Sequence, residues 1–263
     1  MENYIVYGIS LVYGILIGSF LNVCIYRIPK EQSVVTEPSH CMSCGKRLKW
    51  YELLPLISYM LQYGRCRKCK ASISIQYPII EALNGLIYVL VFYAHGWDTI
   101  YILILNIIYC FAISALIVLS VIDFRTKIIP PAINVFLLLM GLLTLMIRYL
   151  ESGKRTDVIW EHVIGFFAIS IFLLFIFHGT RGKAIGGGDV KLMASAGLLL
   201  GWQLVILAFF LGCILASIIH TLRMRIWNAG RSLAFGPYLS LGIIIALFFG
   251  RQMITWYIDT FFP

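Results

Sequence analysis

The sequence predicts an all-α polytopic membrane protein with about eight transmembrane helices. Of the 263 residues, 60% are hydrophobic and only 13% are charged, which is too few to cover the surface of a water-soluble domain. Apolar runs of membrane-spanning length also recur from one end of the chain to the other. We therefore expect the bilayer to be the solvent for most of this chain.

The individual spans follow from the roughly 20 apolar residues that a helix needs to cross a bilayer. They are predicted at residues 4–26, 79–95, 100–122, 132–148, 160–178, 190–201, 203–222 and 237–250. The first lacks a basic leading segment and an obvious small-residue cleavage site, so we expect a permanent helix rather than a signal peptide. The sixth and eighth are short, and the sixth is expected to begin within the preceding glycine-rich segment or to tilt less than its neighbours.

Lysine and arginine are distributed unevenly between the two sides of these spans. The connections after spans one, three, five and seven, together with Lys191 at the start of span six, hold 17 of the 21 basic residues. Basic loops stay in the cytoplasm, so these connections are predicted to be cytoplasmic and both termini to lie outside. These basic residues cluster beside the spans, where they set the membrane topology and can contact anionic lipid headgroups. The net charge of +9 therefore does not indicate a nucleic-acid partner.

A polar segment separates the first span from the others. We expect three parts: a first transmembrane helix at 1–28, a cytoplasmic loop domain at 29–78, and a transmembrane catalytic helix bundle at 79–263. The chain shows no internal repeat, so residues 29–78 are the one candidate for a soluble domain.

The loop domain contains two CxxC pairs separated by 21 residues, formed by Cys41 with Cys44 and by Cys66 with Cys69. Two such pairs can supply four thiolates at tetrahedral geometry, which suits a structural zinc site. The alternatives are two disulfides or four unrelated thiols, and the reducing cytoplasm argues against disulfides. The sequence thus predicts a small cytoplasmic zinc-binding loop domain.

Two aspartates lie at span boundaries on the predicted cytoplasmic face. Asp123 follows the third span, and Asp189 follows Gly186-Gly187-Gly188 at the start of the sixth. A carboxylate is costly at the edge of hydrocarbon, so it tends to persist where a reaction or an ion pathway needs it. Two carboxylates that share a proton can hydrolyse a peptide bond, one as a base toward water and the other as an acid toward the carbonyl oxygen.

Both aspartates also have simpler interpretations. Asp189 can cap a helix amino terminus, and Asp123 can pair with Arg125 or Lys127. The three glycines favour the catalytic interpretation, because they leave room for an extended substrate backbone and permit backbone conformations that other residues avoid.

Six motifs occur in order between residues 18 and 238. They are GSFLNV at 18–23, YRIP at 26–29, the paired CxxC motifs, Asp123 with Ile129-Pro130, GGGDVKL at 186–192 and FGPY at 235–238. Together they resemble the type IV prepilin peptidases, which are aspartyl proteases of the GxGD type. The chain departs from many of these relatives at Pro131, where they carry an aspartate.

The resemblance implies a multi-pass enzyme of the bacterial inner membrane that removes the leader of type IV prepilins or pseudopilins at the cytoplasmic face. Asp123 and Asp189 match the catalytic pair. The resemblance also implies N-methylation of the new terminus, with S-adenosylmethionine as methyl donor. Further candidates for contacts with the substrate or the methyl donor, beside Gly186, Gly187 and Gly188, are Asn22, Glu52, Gly64 and Glu81. Structural alternatives are a turn at Gly64 and an ion pair between Glu52 and a nearby lysine.

Two other classes of function remain possible from the residues alone. A proton-coupled membrane transporter could use Asp123 and Asp189 as relay acids, although such acids are expected near the bilayer centre. A zinc-bearing membrane scaffold would need neither aspartate.

Overall fold

A computed structural model of the chain describes residues 2–227 and 233–261, and these fall into two compact units, Met1–Gly96 and Trp97–Pro263. Within the described residues there are helices and two isolated β-bridges but no strand. The predicted all-α class is therefore confirmed. Arg231, one of the basic residues predicted to be cytoplasmic, lies outside the described residues.

The described helices of the first unit are α1 (Glu2–Arg27), α2 (Ile57–Leu61) and α3 (Gln76–His95), with short 3₁₀ helices at Ile28–Lys30 and Trp50–Glu52. Those of the second unit are α4 (Ile100–Thr126), α5 (Pro131–Glu151), α6 (Thr156–Gly179), α7 (Gly187–Leu200), α8 (Trp202–Trp227) and α9 (Gly236–Phe261).

Seven of the nine described α-helices are long and apolar enough to cross a membrane. The two that are not are α2 and α7. The eighth predicted span was too short, since α9 has 26 residues and continues through Arg251. The sixth corresponds to α7, which has 14 residues and begins inside the glycine segment, as expected. At 1.5 Å per residue, α7 is about 21 Å long, shorter than the ~30 Å hydrocarbon core.

Close backbone contact joins α1 to α3 in the first unit. A Cβ atom on Gly14 would lie 2.7 Å from the Cα atom of Gly85, and one on Gly18 would lie 2.7 Å from the Cα atom of Glu81. The amide of Asn84 also donates to the carbonyl of Gly14 at 2.7 Å. Small residues and a polar cross-link are what membrane helices use to approach closely.

In the second unit α7 is enclosed by other helices. It packs against α5, α6 and α8, and every residue from Leu192 to Leu200 is buried. A helix that is apolar on all sides suits such a position. The short helix is therefore covered by protein over its whole circumference, and its amino-terminal end carries Asp189.

Candidate active site and metal centre

Asp123 lies in the last turn of α4 and is only 4% exposed. The helix ends at Thr126, and the next residue, Lys127, has a left-handed conformation and donates its N–H to the carbonyl of Asp123 at 2.7 Å. Oδ2 of the Asp123 side chain accepts a hydrogen bond of 2.9 Å from the N–H of Gly236, the first residue of α9. The amino terminus of one helix therefore holds a carboxylate from the end of another, an arrangement that favours negative charge.

Asp189 is the third residue of α7 and is 8% exposed. Its Oδ2 atom accepts a hydrogen bond of 3.3 Å from the N–H of Gly186, which is the helix-capping contact that the simpler interpretation expects. The other oxygen, Oδ1, is buried and has no hydrogen-bond partner among the described residues. Capping thus occupies one oxygen of Asp189 and leaves the second for another partner.

The structure brings the two predicted aspartates together. The carboxyl groups of Asp123 and Asp189 lie close enough to interact electrostatically. Elsewhere in this unit an apolar pocket lies between α4, α5, α7 and α9, and its lining includes Leu116, Leu192 and Ile243. Two buried acids can hold and exchange protons away from bulk water.

The glycines before Asp189 allow the neighbouring chain to pack closely against their backbone. A Cβ atom on Gly188 would lie 2.8 Å from the Cβ atom of Ile129, so the α4–α5 connection packs directly on its backbone. Gly186, Gly187 and Gly188 all have negative φ angles, so the expected use of unusual backbone conformations was wrong. The amide of Asn134, on α5, donates to the carbonyl of Gly188 at 3.3 Å and fixes the start of α7.

The four predicted metal ligands form one cluster in the first unit. The sulfur atoms of Cys41, Cys44, Cys66 and Cys69 all lie within 4.8 Å of one another. The Sγ atoms of Cys41 and Cys69 are 3.8 Å apart, far beyond the ~2.05 Å of a disulfide bond. Four sulfurs placed tetrahedrally at about 2.3 Å from zinc would be separated by about 3.8 Å. The cluster therefore fits a zinc ion, and all seven cysteines are free of disulfides.

The two CxxC turns have the same backbone structure. In the first, Cys41 donates to the carbonyl of Lys46 and accepts from the N–H of Gly45; in the second, Cys66 donates to Ala71 and accepts from Lys70. Gly45 and Lys70 occupy the same place in each turn and both have positive φ. Each turn is closed by a β-bridge, His40 with Arg47 and Arg65 with Ser72.

Backbone amides in these turns favour thiolates. The N–H groups of Cys69 and Lys68 lower the pKa of the Cys66 thiol to about 6. The N–H groups of Cys44 and Ser43 likewise lower the pKa of Cys41. A thiolate is the form that binds metal, so the turns favour that form at Cys41 and Cys66 before an ion arrives. At Cys69 the backbone hydrogen bond with Ala71 is outweighed by desolvation and by the three neighbouring thiols, which raise the pKa of Cys69 to about 11.

Two of the other candidate residues take part in the loop structure. Glu52 is buried and bonded to the ammonium of Lys46 at 2.8 Å, which lowers the pKa of the Glu52 carboxyl. This is the ion pair considered as its structural alternative. Gly64 has φ +64 and lies against the Tyr59 hydroxyl, so it serves the turn that precedes the second CxxC pair.

Asn22 and Glu81 connect elements of the first unit. The amide of Asn22 donates to the carbonyl of Tyr77 at 3.2 Å, and its oxygen accepts from the side chain of Gln76, so it ties α1 to the start of α3. Glu81, on α3, accepts a hydrogen bond of 2.8 Å from the N–H of Leu56. Both side chains are buried in these contacts.

Comparison with known proteins finds two matching family models. The bacterial peptidase A24 N-terminal domain matches residues 12–95, and the type IV leader peptidase family matches residues 110–221. The prepilin leader peptidase/N-methyltransferase of Stutzerimonas stutzeri is 32% identical, with 95% of this chain and 93% of that protein covered. The chain belongs to the type IV leader peptidase family. Proteins with the same name from Pseudomonas aeruginosa and Aeromonas salmonicida are 30% and 29% identical, over 95% and 97% of this chain and 92% and 94% of the relatives.

No solved structure matches this member of the family. Two residues near the aspartates received no role in the sequence prediction: Gly236, which binds Asp123, and Asn134, which binds Gly188. Gly236 belongs to the FGPY motif at 235–238, so the motif was a signal for it. Asn134 is a polar amide within the apolar sequence of α5, and a polar residue in such a run was the signal that could have pointed to it.

Proposed function

We propose that this protein is an aspartyl endopeptidase that removes the leader of type IV prepilins or pseudopilins, with Asp123 and Asp189 as its catalytic pair. The observation that carries the proposal is the pairing of these buried carboxyls. One oxygen of each is held by a backbone N–H, and Oδ1 of Asp189 is left without a hydrogen bond among the described residues. That oxygen is the one we assign to water or to the substrate carbonyl.

The hydrolysis requires the two acids to be in different protonation states. The ionised aspartate takes a proton from water as the water oxygen attacks the carbonyl carbon, while the protonated aspartate donates to the carbonyl oxygen. The C–N bond then breaks as the aspartate that took the water proton gives it to the leaving nitrogen, and a hydroxyl of the intermediate returns a proton to the other aspartate. In this proposal the two carboxyls share one proton and act as a pair rather than as independent groups.

N-methylation of the new terminus is the second activity that we propose, with S-adenosylmethionine as the methyl donor. Its support is the name shared by relatives that align over nearly the whole chain. In this reaction the terminal nitrogen attacks the methyl carbon of the donor, S-adenosylhomocysteine leaves, and the nitrogen loses a proton.

The cytoplasmic face is the proposed location of both carboxyls. Asp123 lies in the last turn of α4, and Asp189 is the third residue of α7, so both occupy helix ends. Their connections are rich in basic residues, which the positive-inside rule assigns to the cytoplasm. The helix-end positions also favour a peptidase over the transporter alternative, whose relay acids would be expected near the bilayer centre.

The test is cleavage of a purified prepilin by the purified full-length protein, with and without S-adenosylmethionine. Product masses report cleavage and methylation separately. Asp123→Asn and Asp189→Asn should each lower the cleavage rate by about 10³-fold or more, because either change removes a proton-transfer group. Asparagine retains an oxygen that can accept the hydrogen bond from Gly236 or Gly186, so the variants should stay folded.

Asp157→Asn provides a matched control, since this aspartate is exposed and paired with Arg155 at the start of α6. It should cleave at the wild-type rate. Substantial processing by either Asp123→Asn or Asp189→Asn would refute the catalytic pair. A preparation that methylates its substrate but does not cleave prepilin would show that the two proposed reactions are separate.

A further inference from the structure

The first unit exposes a group of apolar side chains outside its long helices. In residues 50–63, Trp50 is 76% exposed, Met60 65% and Tyr63 90%. The same stretch also exposes Leu53, Leu54, Ile57 and Leu61. So many large apolar residues on one short extramembrane segment mark a surface that has a partner.

A hydrogen bond fixes the depth of this segment. The N–H of Leu56 donates to Oε2 of Glu81 at 2.8 Å. Glu81 is the sixth residue of α3, one of the helices able to cross the membrane. At 1.5 Å per residue it lies about 7.5 Å along the helix from Gln76. Leu56 is thus held at the level of the first turns of α3 rather than beyond its end.

The chain reverses sharply at that point. Leu56 has φ 58 and ψ −52, and the N–H of Ile57 bonds to the carbonyl of Pro55 at 2.5 Å. This is a tight three-residue turn with positive φ, a conformation that leucine rarely adopts. The turn aims the Leu56 N–H at Glu81, and the short helix α2 then carries Ile57, Met60 and Leu61 away from it. The apolar group is therefore built around its attachment to α3.

Positive charge surrounds the same segment. Between residues 46 and 70 the sequence has seven basic residues and one acid, Glu52, which is paired with Lys46. Most of the basic side chains thus have no acid beside them in the sequence. Such a pattern complements anionic lipid headgroups. Tryptophan and tyrosine are the residues that membrane interfaces enrich.

We propose that residues 50–63 form an interfacial membrane anchor. Trp50, Met60, Leu61 and Tyr63 enter the boundary between headgroups and acyl chains of the membrane that α1 and α3 cross, and the flanking basic residues contact anionic headgroups. The alternative partner for this surface, a protein with a basic segment, would be repelled by the flanking basic residues. The anchor would hold the cluster of four cysteines at a fixed height above the bilayer. It does not depend on the proposed peptidase activity.

Photo-crosslinking of the full-length protein in lipid nanodiscs tests this anchor. Met60 and Tyr63 would each be replaced by p-benzoylphenylalanine, with the same replacement at Ser72 as an exposed polar control in the same loop. The nanodiscs would contain phosphatidylglycerol or only phosphatidylcholine. After irradiation, mass spectrometry of the protein identifies what each position has captured.

We expect phospholipid adducts at positions 60 and 63, none at position 72, and a lower yield in phosphatidylcholine. The adducts should persist in the Asp123→Asn protein, because lipid contact does not need the aspartates. Absence of lipid adducts at 60 and 63, or equal yield at 72, would overturn the anchor. Capture of added prepilin or of a second copy in place of lipid would overturn it in favour of a protein-binding surface. Equal yields in the two lipids would overturn the role of headgroup charge.

Discussion

Gly236 determines where the Asp123 carboxyl can lie. Its N–H donates to Oδ2 of Asp123, and a Cβ atom on this glycine would come within 2.8 Å of that same oxygen and 3.0 Å of Leu119 Cδ2. The glycine therefore supplies a hydrogen bond and also the space in which the acid sits. Even a methyl group would push the carboxyl away from its present position.

We predict that Gly236→Ala lowers the kcat of prepilin cleavage by about tenfold, which corresponds to about 1.4 kcal/mol in the barrier. The reason is displacement of Asp123 from Asp189, which affects the chemical step more than substrate binding, so KM should change little. Gly179→Ala is the matched control, because a Cβ atom there would meet nothing within 4 Å. A normal kcat in the Gly236→Ala protein would show that this contact does not position the acid.

The two aspartates and their partners differ in how far the sequence could reveal them. An acid at the end of an apolar run stands out locally, so Asp123 and Asp189 were found without a structure. The bond between Asp123 and Gly236 joins residues 113 apart, and no local pattern records it. Likewise, no periodicity indicates that Glu81 holds the backbone of Leu56. Such contacts depend on tertiary packing.

At the scale of elements, the paired CxxC turns make the most specific chemical prediction. Their matching hydrogen bonds and the 4.8 Å limit on sulfur separations place four ligands around one point. Both turns were predicted from spacing alone, because a CxxC turn is a local structure that its own residues determine. The Lys46–Glu52 ion pair then joins the first turn to the segment that follows it.

We predict about one zinc per chain in freshly purified reduced protein, bound by the four cysteines of these turns. Cys66→Ser should lose most of the metal and unfold the loop, because metal binding at such sites supplies folding free energy. Cys213→Ala, on α8, should keep the metal. Metal analysis and limited proteolysis measure both effects. Absence of zinc in the wild-type protein would refute the assignment, and immediate loss of cleavage on chelation without loop unfolding would show that the metal is catalytic.

Helix lengths show where prediction from apolar runs failed. α9 continues to Phe261 although Arg251 interrupts the apolar run, because arginine is a good helix former and its long side chain can extend from the helix toward water. α7 is short because it begins at the glycines and ends at Leu200, before Gly201, which has φ +84. Its burial among neighbouring helices removes the need to span the bilayer by its own length.

At the scale of the whole second unit, the bond from Gly236 to Asp123 constrains the number of crossings. The start of α9 must lie on the same side as the end of α4. Two long helices, α5 and α6, return the chain to that side before α7. If α8 crosses the membrane, α7 must cross in the opposite sense. With about 21 Å of helix against ~30 Å of hydrocarbon, α7 cannot bring both its ends to the surface.

This parity makes the predicted orientation testable. With α7 counted, eight helices cross the membrane, so both termini should face the outside while the connections after α1, α4, α6 and α8 face the cytoplasm. We predict that alkaline phosphatase fused to the end of the full-length chain is active, since this enzyme folds only outside the cytoplasm, and that green fluorescent protein at the same place stays dark. A fusion after Arg181, in the connection that follows α6, should show the reverse. Fluorescence from the carboxy-terminal fusion would place that end in the cytoplasm and reverse the face assigned to Asp123 and Asp189, whereas agreement of both fusions would put the two acids where a prepilin leader can reach them.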